Sequence, residues 1–260
     1  MKTQSTFAAA VCLAAMHVLA AAQPLEISGS TTVQKRLVEP HAAAVRAATG
    51  VEMKIYGVGS GKGMIALADR QVPLAAVSES LDEALASARR AAQAEGKPFK
   101  EPADLRFHPL VQDSIVVVVH RDNPVGTLTR EQVKGIHTGA IRSWKEVGGA
   151  DVPVKVVTGA PGSATRALLQ GQVMNGQAYA PGTAEMRTTL EEIKVVGLSP
   201  GAVGAMSENV ARTAADKVKV VSGVQIKRPL AFVSIGAPSP AAQKVIDFFK
   251  SKEGQKLVQQ

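Results

Sequence analysis

The 260-residue chain predicts an α/β fold, a mostly parallel sheet with helices on both faces. Three observations carry that expectation. Short apolar runs of strand character alternate with helical runs along the whole length. Ile115-Val-Val-Val-Val119 is a continuous β-branched run, the pattern of a central strand covered on both sides. Three strand-to-helix junctions are built of small and hydroxyl residues: Ser28-Gly-Ser-Thr-Thr32, Gly57-Val-Gly-Ser-Gly-Lys-Gly63 and Gly159-Ala-Pro-Gly-Ser-Ala-Thr165.

The N-terminus is set aside first. Lys2, the apolar run Phe7 to Ala20 and Ala20-Ala-Ala22 read as a secretory signal peptide cut after Ala22. The run is too short to span a membrane, and Ala9-Ala-Val11 before Cys12 is a poor lipidation site. Cleavage would leave 260 − 22 = 238 residues without cysteine, so a mature chain has no disulfide framework and no thiol nucleophile. The chain is basic, +8 by formal count. A basic surface steers anions toward a cleft, but Lys and Arg are scattered and aromatics are only 3% of residues. That composition disfavours nucleic-acid binding.

Taken in order, Leu25 and Ile27 mark a first short strand, and Val33 to Ala48 a helix that Thr32 can cap, Pro40 kinks and Gly50 ends. Val51, Met53 and Ile55 alternate with Glu52 and Lys54 as a second strand, and a helix Met64 to Arg70 follows the glycine loop. Val72 to Val77 is a third strand. Asp82 caps an Ala-rich helix Glu83 to Glu95 whose small residues form a packing stripe. Ser114 to Val119 is the central strand. Thr129 and Gln132 have capping-box spacing for a short helix to Ile136. A compact excursion around Trp144 leads to the strand Val154 to Val157 and the helix Ala167 to Met174. Leu190 to Val196 reads as helix passing to strand, Val203 to Met206 and Val218 to Val221 as two more strands. Gln225 to Ile235 is a return strand, and Pro240 to Gln260 supplies terminal helices.

The junctions carry the chemistry. Each offers hydroxyls beside the unpaired amides at the positive end of a helix, a natural place for an anion. A single such turn reads equally well as an ordinary N-cap or a glycine turn without ligand. Three in one chain point to one oxyanion gripped from several sides.

The order Gly29-Ser-Thr-Thr32, Gly59-Ser-Gly-Lys-Gly63, Val77-Ser-Glu79, Asp122-Asn-Pro124, Leu128-Thr-Arg-Glu-Gln132, Gly139 to Gly149 with Trp144, Gly162-Ser-Ala-Thr165 and Gly254-Gln255 resembles the phosphate-binding proteins of ABC transporters over nearly the whole mature chain. The resemblance implies a two-lobed, type II periplasmic-binding-protein fold. Each lobe would be a mostly parallel sheet flanked by helices, and two hinge crossings would let the lobes close on the ligand. Lobe 1 would be 23–112 plus 227–260, and lobe 2 would be 113–226. Carried over residue by residue, the ligand-binding set is Thr31, Thr32, Ser60, Gly61, Glu79, Ser163, Ala164 and Thr165. Glu79 stands where the family has an aspartate that accepts a hydrogen bond from a protonated phosphate oxygen. The family's arginine four residues before Ser163 is Gly159 here, with Arg166 or Lys62 as candidate substitutes.

The implied function is a periplasmic solute-binding protein that takes an oxyanion, phosphate first, to an ABC transporter permease. It would act as a monomer, with no catalytic residue, cofactor or metal. The alternative is a phosphate-sensing or surface protein on the same scaffold. A hydrolase is disfavoured, because neither Ser60 nor Ser163 lies in a Gly-x-Ser-x-Gly elbow and His41, His108, His120 and His137 fall in no zinc spacing. Which oxyanion binds is left open by Gly159 and Glu79.

Overall fold

A computed structural model describes residues 23–258; the segment 1–22, expected to be a signal peptide, lies outside them. One eight-stranded sheet runs through the molecule in the order β2-β1-β3-β8-β4-β7-β5-β6. The strands are β1 (Leu25–Gly29), β2 (Met53–Gly57), β3 (Leu74–Val77), β4 (Leu105–His120), β5 (Lys155–Gly159), β6 (Ala184–Met186), β7 (Ala202–Ser207) and β8 (Val218–Ile235). The outer pairs are parallel, β1 with β2 and β3, and β5 with β6 and β7. The parallel pairs lie within each half, as expected, and the two long crossing strands run antiparallel to their neighbours: β4 pairs with β8 and β7, and β3 with β8. Val218 to Val221 and Gln225 to Ile235, expected as separate strands, are one strand that lies along nearly all of β4.

The side-chain alternation of these strands sorts the core into layers. On β8, Leu230 and Phe232 join one buried cluster with Ile27, Leu37, Val245 and Phe249, while Ala231 and Val233 join another with Met64, Val77 and Leu85. On β4, Ile115, Val117 and Val119 face a cluster around Trp144, Leu169 and Val203, while Val116 and Val118 face one around Val157, Val196 and Met206. All five residues of the β-branched run are buried, as that pattern predicts. Two clusters therefore sit over the β2-β1-β3 end and two over the β7-β5-β6 end, and the long strands β4 and β8 pass between them.

Helices cover both faces: α1 (Thr31–Val33), α2 (Glu39–Thr49), α3 (Ser60–Ala68), α4 (Leu81–Ala94), α5 (Arg130–Thr138), α6 (Ala164–Gln172), α7 (Thr189–Leu198), α8 (Glu208–Thr213), α9 (Pro240–Lys250) and α10 (Lys252–Val258). A π-helical stretch, Gln34–Val38, separates α1 from α2 where the missing N–H of Pro40 interrupts the regular ladder. Thr129 and Gln132 form the expected capping box. Two other caps differ from expectation. Ser30, not Thr32, caps α1 by accepting from the Val33 amide, and Ser80, not Asp82, caps α4 in a reciprocal box with Glu83. Residues Leu190 to Val196 are wholly helical, within α7.

Candidate functional site

The caps matter because they free Thr32 for another partner. It lies inside α1, and its hydroxyl points to a guanidinium supplied by the middle of β8. Arg228 is 2% exposed and makes contacts from both ends of the sheet. Its Nε donates to Asp113 Oδ2 at 2.9 Å, Nη1 to Thr165 Oγ1 at 2.9 Å and Ser78 Oγ at 3.4 Å, and Nη2 to Thr32 Oγ1 at 3.2 Å. Asp113 stands opposite Arg228 in the β4–β8 register, so the pair ties the two crossing strands. Its other oxygen accepts from Arg36 Nη1 and Ser207 Oγ, each at 2.7 Å.

A guanidinium can only donate. Each hydroxyl bonded to Arg228 therefore accepts from it and turns its own hydrogen elsewhere. Ser78 Oγ lies 3.4 Å from Ser60 Oγ, which itself accepts from the Ser78 amide at 3.3 Å. Thr32 and Thr165 thus touch one buried cation and Ser60 reaches it through Ser78, so a hydroxyl from each of the three junctions lies in or next to this cluster.

The remaining predicted residues do not touch Arg228 and have partners of their own. Thr31 Oγ1 meets Thr189 Oγ1 at 2.9 Å, and the Gly61 amide donates to the Gly162 carbonyl at 3.1 Å. Ser163 caps α6 by accepting from the Arg166 amide, and Ala164 is buried behind it. Glu79 is fully buried: Oε2 accepts from Ser87 Oγ at 3.0 Å, while Oε1 has no hydrogen-bond partner. Burial pushes its carboxyl up to about 7, against the weaker opposing pull of the Ser87 hydroxyl.

A second buried acid went unnoticed in the sequence. Glu192 of α7 is 3% exposed, and burial pushes it up to about 8 against the attraction of Arg228. Its Oε1 lies 3.4 Å from the point where a Cβ on Gly159 would stand.

These geometries suit holding a small oxygen-rich group rather than transforming one. The hydroxyls of Thr32, Ser60, Ser78 and Thr165 hydrogen-bond to one another, to a backbone amide and to Arg228, not to a histidine or carboxylate that could activate them. Among the described residues no cluster of His, Cys, Asp and Glu could hold a metal ion. The PBP superfamily domain model matches residues 15–253. The chain belongs to that superfamily.

Within it, the phosphate-binding protein PstS of Bacillus subtilis is 25% identical over 248 residues, covering 90% of this chain and 77% of the relative. A structure from Clostridium perfringens, described as a phosphate ABC transporter substrate-binding protein with bound phosphate, superposes with a TM-score of 0.76 at 26% identity. The match covers 90% of this chain and 96% of that one. An ABC-type phosphate transport receptor from Vibrio cholerae gives a TM-score of 0.62 at 25% identity, over 91% and 97% of the two chains.

The resemblance implies an arginine at 159, and Arg166 and Lys62 are its candidate substitutes. Neither candidate substitute reaches the centre. Arg166 pairs with Glu185 and lies over the Tyr179 ring, while Lys62 pairs with Glu95 at the surface. Gly159 could not carry a side chain without movement, since a Cβ there would stand 2.4 Å from Ser163 Oγ. The histidines lie apart: His108 bonds Ser234, His120 accepts from the Asp122 amide, and buried His137 bonds the Val133 carbonyl.

Proposed function

We propose that this chain is a solute-binding protein that captures an oxyanion, phosphate first, and hands it to an ABC transporter permease. The single observation that carries the reading is the meeting of the three junctions at Arg228, which Thr32 and Thr165 touch directly and Ser60 reaches through Ser78. It gathers donors from three helix starts and a buried positive charge into one enclosed place. The phosphate-binding names of the relatives point the same way. The two lobes, 23–112 with 227–260 and 113–226, close across β4 and β8, whose Asp113–Arg228 pair lies beside the crossing. Export through the 1–22 signal places the protein in the periplasm, where it works as a monomer and makes or breaks no bond. Thr31, Gly61, Glu79, Ser163 and Ala164 complete the ligand shell.

Isothermal titration of the mature protein with phosphate, sulfate, arsenate, molybdate and tungstate tests this. Saturable heat with phosphate is the expected result. Silence with every anion would favour the sensing or surface role on the same scaffold and remove the transport role.

A further inference from the structure

Asp113 belongs to two places at once. It pairs with Arg228 of the candidate site, and it also lines a separate cavity of about 310 Å³ beside the crossing strands. We propose that this cavity is a second anion site, suited to a small dicarboxylate, and that an anion held there weakens oxyanion binding at Arg228. The site stands on its own geometry, and only the coupling rests on the oxyanion reading above.

The walls come from both ends of the sheet. Arg36 is supplied by the π-helical stretch after α1, Asp113 by β4, Lys227 by β8, and Glu208, Asn209 and Arg212 by α8. The carboxylates are already occupied. Asp113 accepts on both oxygens, from Arg36, Ser207 and Arg228. Glu208 accepts from Arg212 Nη2 at 2.6 Å and from Gln225 Nε2 at 3.1 Å. The donors are not used up. Among the described residues the side chains of Lys227 and Asn209 have no hydrogen-bond or ion-pair partner, and the buried Nε of Arg36 has none either. Ammonium and guanidinium groups only donate, so this lining suits an anion better than a cation. The charge count agrees: Arg36, Arg212 and Lys227 stand against Asp113 and Glu208, and Asp113 is shared with Arg228 as well. An ion with two carboxylates can engage Arg36 from one end of the sheet and Arg212 from the other, each through a charge-assisted hydrogen bond.

The link to the candidate site is a shared carboxylate. Arg36 Nη1 lies 2.7 Å from Asp113 Oδ1, and Arg228 Nε lies 2.9 Å from Oδ2. An anion on Arg36 competes with Asp113 for that guanidinium. Asp113 is then left to Arg228 alone, and the positive charge that Arg228 can offer an oxyanion falls. The added negative charge acts in the same direction. Such coupling is reciprocal, so an oxyanion at Arg228 weakens the second site by the same factor.

The test is calorimetry of the mature protein with malonate as the probe, alone and with saturating phosphate. It compares the wild type, Thr165→Ala and the double variant Arg212→Gln with Lys227→Gln, whose two side chains are exposed. A melting curve establishes that each variant is folded. The double variant should lose about tenfold or more of the wild-type malonate affinity and keep its phosphate affinity. Thr165→Ala should weaken phosphate and leave malonate unchanged. Saturating malonate should weaken phosphate binding about fivefold or more, and phosphate should weaken malonate equally. If phosphate binds but malonate does not, or if the double variant binds malonate like the wild type, the second site is overturned while the oxyanion reading stands. Full displacement of malonate by phosphate, with Thr165→Ala weakening both, would put malonate in the first site and overturn the second. Equal phosphate affinity with and without malonate removes the coupling. Malonate binding that the double variant abolishes, in a protein that takes no phosphate, keeps the cavity site and removes the oxyanion reading.

Discussion

Arg228 holds a position that a lysine could not. Four hydrogen bonds fan from one planar guanidinium to Asp113, Ser78, Thr165 and Thr32, and an ammonium has three donors on a single point charge. Arg228→Lys should cost about 1–3 kcal/mol of stability, read as a shift in the urea midpoint, and weaken phosphate binding. Arg228→Ala should cost more, about 3–5 kcal/mol, because Asp113 stays buried with only Arg36 to balance it. Ser60→Ala and Thr165→Ala should each weaken phosphate binding by about tenfold to a hundredfold in the same calorimetric assay, since each leaves an anion oxygen short of a donor. Wild-type affinity in both would place the site elsewhere. The three junction hydroxyls were legible in the sequence because small polar residues at helix starts have a local signature. Arg228 was not, because its meaning depends on a partner 115 positions away across the sheet. The available clue was a pair of opposite charges, Asp113 shortly before the apolar run Ile115 to Val119 and Arg228 shortly before the apolar run Leu230 to Val233.

At the scale of the element, the glycine loop owes its composition to packing as much as to any ligand. Gly59 precedes α3 with φ of +94°, which favours glycine, whereas Gly61 and Gly63 lie inside the helix. A Cβ on Gly63 would stand 2.4 Å from Gly29 Cα, and one on Gly61 2.5 Å from the Ser87 carbonyl oxygen. These glycines let α3 lie directly on the end of β1 and against α4. Gly63→Ala should therefore destabilise the fold by about 1–3 kcal/mol, measured by thermal melting, whether or not phosphate is present. A rise in melting temperature would show that the close approach is not enforced there. Placing at 159 the arginine that the resemblance implies tests the other loop. Gly159→Arg should weaken phosphate binding, since its Cβ collides with Ser163 and its side chain enters beside Glu192. Most elements could be read from periodicity, β-branching and turn residues. The errors fell where two local signals competed, as Ser30 with Thr32 and Ser80 with Asp82 for a cap, or where a strand continued through Ser222-Gly223 that read as a break. Those choices are settled by tertiary pairing, which leaves no short-range pattern.

Across the whole molecule, the buried acids make stability depend on pH in a direction opposite to the usual carboxylate. Glu79 and Glu192 have folded values of about 7 and about 8, both above the ordinary 4.5, with desolvation as the leading cause. The folded chain then holds protons that the unfolded chain has released, so stability falls as pH rises through that window. His137 works in the other sense: burial lowers it to about 4 from 6.5, so its contribution is lost as pH falls below 6.5. Above pH 6.5 the histidine is neutral in both states and only the acids act. The ligand-free protein should thus lose at most about 2–3 kcal/mol between pH 6.5 and pH 8.5, visible as a falling melting temperature. Glu79→Gln with Glu192→Gln should flatten the slope in that range and leave the histidine-dependent loss below pH 6.5 in place. Because the acids sit on segments from the two ends of the sheet and share one cation, their ionisation loads charge into the seam that β4 and β8 cross. Bound phosphate should then stabilise the wild type more at pH 6.5 than at pH 8.5, and an equal shift in melting temperature at both would uncouple the acids from the ligand.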